Sequence, residues 1–118
     1  MIHSINWDSM AWKTIRPGVE QKAISGQGGT VAMHRLQPEH EPKPHSHVHE
    51  QIAYIVSGSV DFHIGGEVIR LDPGGVVVIP PNVMHHAVVI GPEEVINIDF
   101  FTPNRPEYAE ANVWGRPM

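Results

Sequence analysis

The chain has 118 residues, of which 41% are hydrophobic and 18% charged, and its net charge is −5. This size fits a single domain over residues 1–118, and an acidic chain without a basic run is a poor candidate for binding nucleic acid or anionic membranes. Cys is absent, and neither a signal core nor the ~20 apolar residues of a membrane span occur, so we expect a cytoplasmic protein without disulfides.

Short apolar or alternating runs, separated by Gly, Pro and Asn, predict strands along the chain, with no sustained helical periodicity. We predict strands at 19–24, 30–36, 43–48, 51–57, 59–64, 67–71, 76–79, 84–90 and 94–101. The 11 Gly and 11 Pro fit the tight turns of an all-β sandwich or barrel. An N-terminal arm of about residues 1–18 and a C-terminal tail of about residues 102–118, lying over the domain surface, are expected to flank it.

Alternation along the last predicted strand separates its two faces. Asn97, Asp99 and Phe101 fall on one face, and the apolar residues between them fall on the other. Asp99 therefore either faces solvent or lines a cavity, and the pattern alone leaves both readings open.

The stretch "PHSHVHEQIAY" (44–54) is the first of two histidine-rich segments. His45 and His47 lie two residues apart, so on a strand they would project to one side and could bind one cation. Residues 45 and 51 of a straight strand are about 20 Å apart, whereas metal–ligand bonds are about 2 Å. Gln51 can therefore join the same ion only if "VHE" (48–50) turns the chain, which would let His49 and Glu50 point away.

The second segment is "IPPNVMHHAV" (79–88), in which His85 and His86 fall on opposite faces of the next predicted strand. Either of them could complete a site with three imidazoles. The four histidines without such partners are interpreted as surface or incidental residues: His3, His34, His40 and His63.

The two segments resemble the two motifs of the cupin superfamily. "HSHVHEQIAYIVSG" matches the first motif with Gln51 at its Glu position, and "GVVVIPPNVMH" matches the second with Asn82 at its Gly position. Glu39 and Val89 also depart from these motifs, at the first Gly and the last Asn. The resemblance implies a single-domain cupin β-barrel, that is, a jelly roll or double-stranded β-helix.

"IGGE", "IPPNVMH" and "IDFFTPNR" are similar to the KdgF family, the pectin-degradation cupins. That family linearises 4,5-unsaturated uronates released by pectate and alginate lyases. The resemblance implies one divalent metal ion bound by His45, His47, Gln51 and His85. It also implies catalytic roles for Asp99, Phe101 and Arg105.

Three imidazoles and an amide are neutral ligands, so such a site would keep the full charge of its ion. This favours Lewis-acid chemistry and leaves Ni, Zn, Mn, Co or Fe open as the metal. The resemblance implies that the substrate is a small carbohydrate-derived acid. In this interpretation Asp99 is the general acid–base, Arg105 pairs with the uronate carboxylate, and Phe101 walls the pocket.

Three other functions remain open from the sequence: a cupin dioxygenase on a small organic substrate, a non-catalytic sugar- or metabolite-binding cupin, and an isomerase or cyclase acting on another keto acid. Gln51 in place of a carboxylate argues modestly against the dioxygenase. Apolar strand faces such as "VVVIP" and the exposed edges of a small barrel predict a homodimer.

Overall fold

Antiparallel strands in two sheets form a jelly-roll-like fold in the computed structural model, which describes residues 4–109. The strands are β1 (Lys13–Arg16), β2 (Val19–Ser25), β3 (Thr30–Leu36), β4 (Glu50–Ser57), β5 (Ser59–Ile64), β6 (Glu67–Leu71), β7 (Val76–Ile79), β8 (His85–Ile90) and β9 (Val95–Thr102). The larger sheet has the order β1-β2-β3-β9-β4-β7, and the smaller has the order β6-β5-β8. Short 3₁₀ helices at Trp7–Ser9 and Pro106–Ala109 flank the strands, and within residues 4–109 no helix has the length and apolarity to cross a membrane.

The hydrophobic core lies between the two sheets, because alternation along each strand turns one set of side chains inward. Ile55 and Ile79 of the larger sheet belong to the same apolar cluster as Val60 of the smaller one, and all three are 0% exposed. The chain passes from β4 to β5 at Gly58, which has a φ of +79°. A Cβ at Gly58 would lie 2.5 Å from the Glu94 carbonyl oxygen, so this turn requires glycine.

The predicted strands agree with the structure to within one residue, except at 43–48. This segment forms only an isolated bridge, in which His45 and His85 exchange backbone hydrogen bonds of 3.0 and 2.8 Å. The prediction of a strand was wrong there because Pro42 and Pro44 lack the N–H groups that a continuous ladder needs.

Both ends of the described chain pack onto the larger sheet more closely than the sequence suggests. Within the predicted N-terminal arm, β1 extends the larger sheet by pairing with β2. The 3₁₀ helix Pro106–Ala109 of the predicted tail packs against β2 and β3. Residues 110–118 of that tail, like His3, lie outside the described part of the chain.

Candidate metal centre

Three histidine side chains converge from two parts of the chain, and we call them the imidazole cluster. His45 and His47 lie in the loop before β4, and His85 is the first residue of β8. One ring nitrogen of each lies within 4.8 Å of those of the other two, close enough to hold a metal ion. The backbone bridge between His45 and His85 brings the two segments together.

The backbone sets the orientation of all three rings. Each Nδ1 lies within hydrogen-bond distance of a carbonyl oxygen: Lys43 for His45 (2.8 Å), His49 for His47 (3.0 Å) and Val83 for His85 (2.8 Å). A ring that donates from Nδ1 keeps the lone pair on Nε2, which is the arrangement usual for metal-binding histidines. Nε2 of His85 is buried and has no hydrogen-bond partner among the described residues, so the cluster fits a cation.

Gln51 lies at the start of β4, after bends at Val48 and His49 turn the chain. This is the turn that a role for Gln51 requires. Oε1 of Gln51 lies 3.1 Å from Nε2 of His47, and its Nε2 donates to Oδ1 of Asp99 at 2.8 Å. When Nδ1 of His47 donates to the backbone, Nε2 of His47 and Oε1 of Gln51 are both acceptors and cannot hydrogen-bond to each other. A cation bound by both atoms satisfies them.

Asn82 accounts for one departure from the cupin motif. Its φ of 63° is in the left-handed region, which Asn tolerates better than other residues with a side chain. Its N–H donates to the His47 carbonyl at 2.7 Å. Asn82 therefore makes the turn that Gly makes in the motif, and it holds the loop that carries His47.

Asp99 is buried in the cavity face of β9, at 3% exposure, and does not face solvent. Its carboxylate receives hydrogen bonds from Gln51 (2.8 Å), Asn97 (2.8 Å) and Nδ1 of His34 (2.7 Å). An ionised carboxylate only accepts hydrogen bonds, so these three donors match it. Nε2 of His34 in turn lies 2.9 Å from the amide nitrogen of Gln21 on β2.

Two histidines interpreted as incidental are therefore part of this region, and that interpretation was wrong. His34 contacts Asp99, and His40 is buried and lines the same cavity. By contrast, His63 stacks on His86 at 4.4 Å between ring centres, on the strand face opposite to His85. This placement shows that His85, rather than His86, joins the imidazole cluster.

The electrostatic environment favours the neutral form of two rings of the imidazole cluster, those of His47 and His85. Burial lowers the pKa of His47, and the nearby positive charge of Arg105 lowers it further. Burial also lowers the pKa of His85. Both rings therefore remain neutral, and able to bind a cation, at a lower pH than an exposed histidine would.

Aromatic rings enclose the other predicted residues. The Phe101 ring meets the His47 ring edge-on, with centres 5.7 Å apart. The Arg105 guanidinium carbon lies 4.8 Å from the centre of the Phe101 ring and 3.8 Å from that of Tyr108. Arg105 also lies 3.4 Å from a Glu107 oxygen, yet its buried Nη1 has no hydrogen-bond partner among the described residues.

A cavity of about 280 Å³ is lined by most of these groups, although Arg105 and His47 are not among its lining residues. Its lining includes His45, Gln51, His85 and Asp99 together with Arg16 and Tyr108. The sequence interpretation did not select Arg16, Gln21, His34 or Tyr108. Gln21 and His34 each lie two positions from buried apolar residues on β2 and β3 and so share their strand face, and this signal could have placed both inside.

The sequence model of the cupin domain family matches residues 32–101, a range that contains both histidine segments and more than half of the chain. The protein is a cupin. The pectin degradation protein KdgF of Dickeya dadantii is 31% identical to this cupin over 104 residues, covering 86% of this chain and 93% of that one.

Two solved structures are similar to this cupin and support the same family assignment. The structure of KdgF from Halomonas sp. has a TM-score of 0.78 and 31% identity, covering 86% of this chain and 95% of the other. An RmlC-like cupin from Shewanella frigidimarina has a TM-score of 0.82 and 25% identity, covering 92% and 96%. The fold and the KdgF resemblance inferred from the sequence are thus confirmed.

Proposed function

We propose that this cupin is a metal-dependent isomerase that linearises 4,5-unsaturated uronates to open-chain keto acids. The observation that carries the proposal is the hydrogen bond between Gln51 and Asp99, which joins a cation-binding cluster to a buried carboxylate inside one cavity. The relationship to KdgF, a pectin degradation protein, supports a carbohydrate-derived acid as the substrate.

His45, His47, His85 and Gln51 are the proposed ligands of one divalent ion, which can be Ni, Zn, Mn, Co or Fe. All four are neutral donors, and three of them have an orientation fixed by backbone carbonyls. The bound ion would supply Lewis acidity toward a substrate oxygen.

Asp99 is the proposed proton carrier. Linearisation adds water across the ring double bond, with the oxygen going to the carbon that bears the carboxylate and a proton going to the other carbon. The resulting hemiketal breaks its bond to the ring oxygen, which takes a proton as a ketone forms. The geminal diol left at the anomeric carbon loses water to give an aldehyde, so the net change is an isomerisation. Asp99 lines the cavity and accepts hydrogen bonds, so it can take the proton from water and return it to the ring carbon.

Phe101 and Arg105 are proposed to shape the binding site around that carboxylate. Phe101 walls the cavity beside His47 and excludes water from it. Arg105 has an unpaired buried nitrogen, which a substrate carboxylate can satisfy.

A homodimer through the outer face of the larger sheet is also proposed. Tyr54 pairs with Val76 across the β4–β7 ladder, and both side chains are exposed. Ile52 of β4 pairs with Val78 on β7 and with Phe100 on β9, and the side chains of Val78 and Phe100 are also exposed. A continuous apolar surface of this kind is typical of a surface that another subunit covers.

Proton NMR of a 4,5-unsaturated galacturonate tests the proposed reaction. With the metal-loaded protein, the alkene signal should disappear and open-chain keto-acid signals should grow faster than in buffer. The Asp99→Ala variant should lose most of this acceleration, whereas His63→Ala, altered on the outer strand face, should retain it. Oxygen uptake during turnover would instead indicate a dioxygenase.

A further inference from the structure

Arg16 presents a charged group that the proposed function does not use. It is the last residue of β1, and it lines the same cavity as the imidazole cluster. Its Nε is buried without a hydrogen-bond partner, and within residues 4–109 none of the ion pairs includes its guanidinium. A buried guanidinium N–H without an acceptor is unfavourable, so a ligand that brings an acceptor would be stabilised here.

A β-bulge directs Arg16 toward the cavity. Thr14 pairs with Glu20, but Arg16 pairs with Val19, so β1 advances by two residues while β2 advances by one. In a regular strand Ile15 and Arg16 would point to opposite faces, yet both line the cavity. Bulges next to binding sites commonly redirect a side chain in this way.

The turn after Arg16 is fixed against the loop that leads to the imidazole cluster. Gly18 has a φ of +79°, and a Cβ there would lie 2.9 Å from the Cβ of His40. The Gly18 carbonyl accepts a hydrogen bond of 2.9 Å from the N–H of Gln37. Arg16 is therefore held at a set position relative to the cavity rather than carried on a free arm.

The charges around the cavity indicate the kind of group that Arg16 would bind. Among the described lining residues, Asp99 is the only acid, and its carboxylate already has three donors. Lys43 is the other fully cationic lining residue, but it is exposed to solvent. The fork of a guanidinium matches a carboxylate in two parallel hydrogen bonds.

We propose that Arg16 binds a carboxylate of the substrate and thereby selects uronates over neutral sugars. This inference rests on the proposed function for the sugar class. Two guanidinium groups would then bind the one carboxylate of the substrate: Arg105, which is stacked on the rings of Phe101 and Tyr108, and Arg16 from β1.

Titration of the metal-loaded protein with D-galacturonate and with D-galactose tests this, because neither sugar has the reactive double bond. The wild type should bind galacturonate more tightly than galactose. Arg16→Gln should weaken galacturonate binding about tenfold or more, the loss expected for a hydrogen bond to a charged group. Arg16→Lys should recover part of it, since the charge remains and the fork is lost.

Arg70→Gln is the matched control, because it removes the same charge from an exposed pair with Asp61 on the smaller sheet. It should leave galacturonate binding unchanged. A wild type that binds both sugars equally or neither of them, or an Arg16→Gln variant with wild-type affinity for galacturonate, overturns the inference.

The outcome separates this inference from the proposed function. Binding of galacturonate that depends on Arg16, with an unsaturated uronate left unaltered, would refute the isomerase and keep the carboxylate site. Turnover of the unsaturated uronate, with galacturonate affinity unchanged in Arg16→Gln, would keep the isomerase and refute the carboxylate site at Arg16. If both hold, Arg16→Gln should raise KM with little change in kcat, as expected for lost ground-state binding.

Discussion

The side-chain amide of Gln51 donates to Asp99 at 2.8 Å, while its oxygen lies 3.1 Å from Nε2 of His47. Because a carboxylate only accepts, Asp99 selects the NH₂ group of Gln51 and leaves the oxygen facing the imidazole cluster. The candidate acid–base and the candidate ligand are thus one hydrogen-bonded unit, and a change in either should affect both metal binding and catalysis.

Asp99→Asn should weaken both stability and metal binding. The one oxygen of the new amide can keep the two donors of Asn97 and His34, which places its NH₂ group against the NH₂ group of Gln51. We therefore expect the unfolding free energy to fall by about 1–3 kcal/mol. Losing the orientation of Gln51 should lower metal affinity by about 10–100-fold. Denaturant unfolding and metal titration measure these effects. Unchanged metal affinity would show that Asp99 does not orient Gln51.

Gln51→Glu should make stability depend on pH in the metal-free protein. The introduced carboxylate would face the Asp99 carboxylate, where the Gln51 amide now donates to Asp99 over 2.8 Å. The buried pair of carboxylates would retain one proton in the folded state. A proton held more tightly in the folded state stabilises it at low pH, and this contribution is lost as pH rises. Unfolding free energy relative to wild type should therefore fall with increasing pH.

Gln37→Glu provides the matched control for that measurement. The Gln37 amide donates to Glu94 at 3.1 Å in an exposed pair, so the substitution again opposes two carboxylates. Water screens this pair, and its pH dependence should be much smaller. Equal pH dependence in the two variants would contradict a buried Gln51–Asp99 unit.

His85→Ala should abolish stabilisation by metal. For the wild type, a free metal concentration of about 100 times the Kd should raise the unfolding free energy by about 2.7 kcal/mol. Nε2 of His85 is buried and has no hydrogen-bond partner among the described residues, so removing this ring should eliminate most of that increase. His63→Ala should keep it, and an increase of wild-type size in His85→Ala would argue against the imidazole cluster as the metal site.

Acidification should release the metal, but only at low pH. Metal and proton compete for the same nitrogen lone pairs, so affinity falls as pH drops through the imidazole pKa values. Burial lowers the pKa of His47 and of His85, which moves the protonation of these two ligands below the pH at which an ordinary histidine charges. Calorimetric metal titrations between about pH 5 and 8 measure the profile. Loss of affinity beginning at the upper end of this range would contradict the lowered pKa values.

Local patterns were enough to predict most of the fold. The alternation in β9 places Asn97, Asp99 and Phe101 on one face, and all three are buried in the structure. These features depend on a period of two residues, which a single strand reveals.

The rest of the candidate site depends on contacts between distant residues. His34 and Asp99 are 65 positions apart, and their contact follows from the pairing of β3 with β9. Arg16 enters the cavity through a bulge in a strand that the sequence did not reveal. Neither the partner of a strand nor an interruption of its register is visible in local periodicity.

The most direct test of the central claim follows the ultraviolet absorbance of the conjugated alkene in a 4,5-unsaturated uronate. The metal-loaded protein should accelerate loss of this absorbance, a chelator should remove the acceleration, and added metal should restore it. Asp99→Ala should remain slow even with metal added. A rate no faster than buffer with the fully metal-loaded wild type would contradict the account.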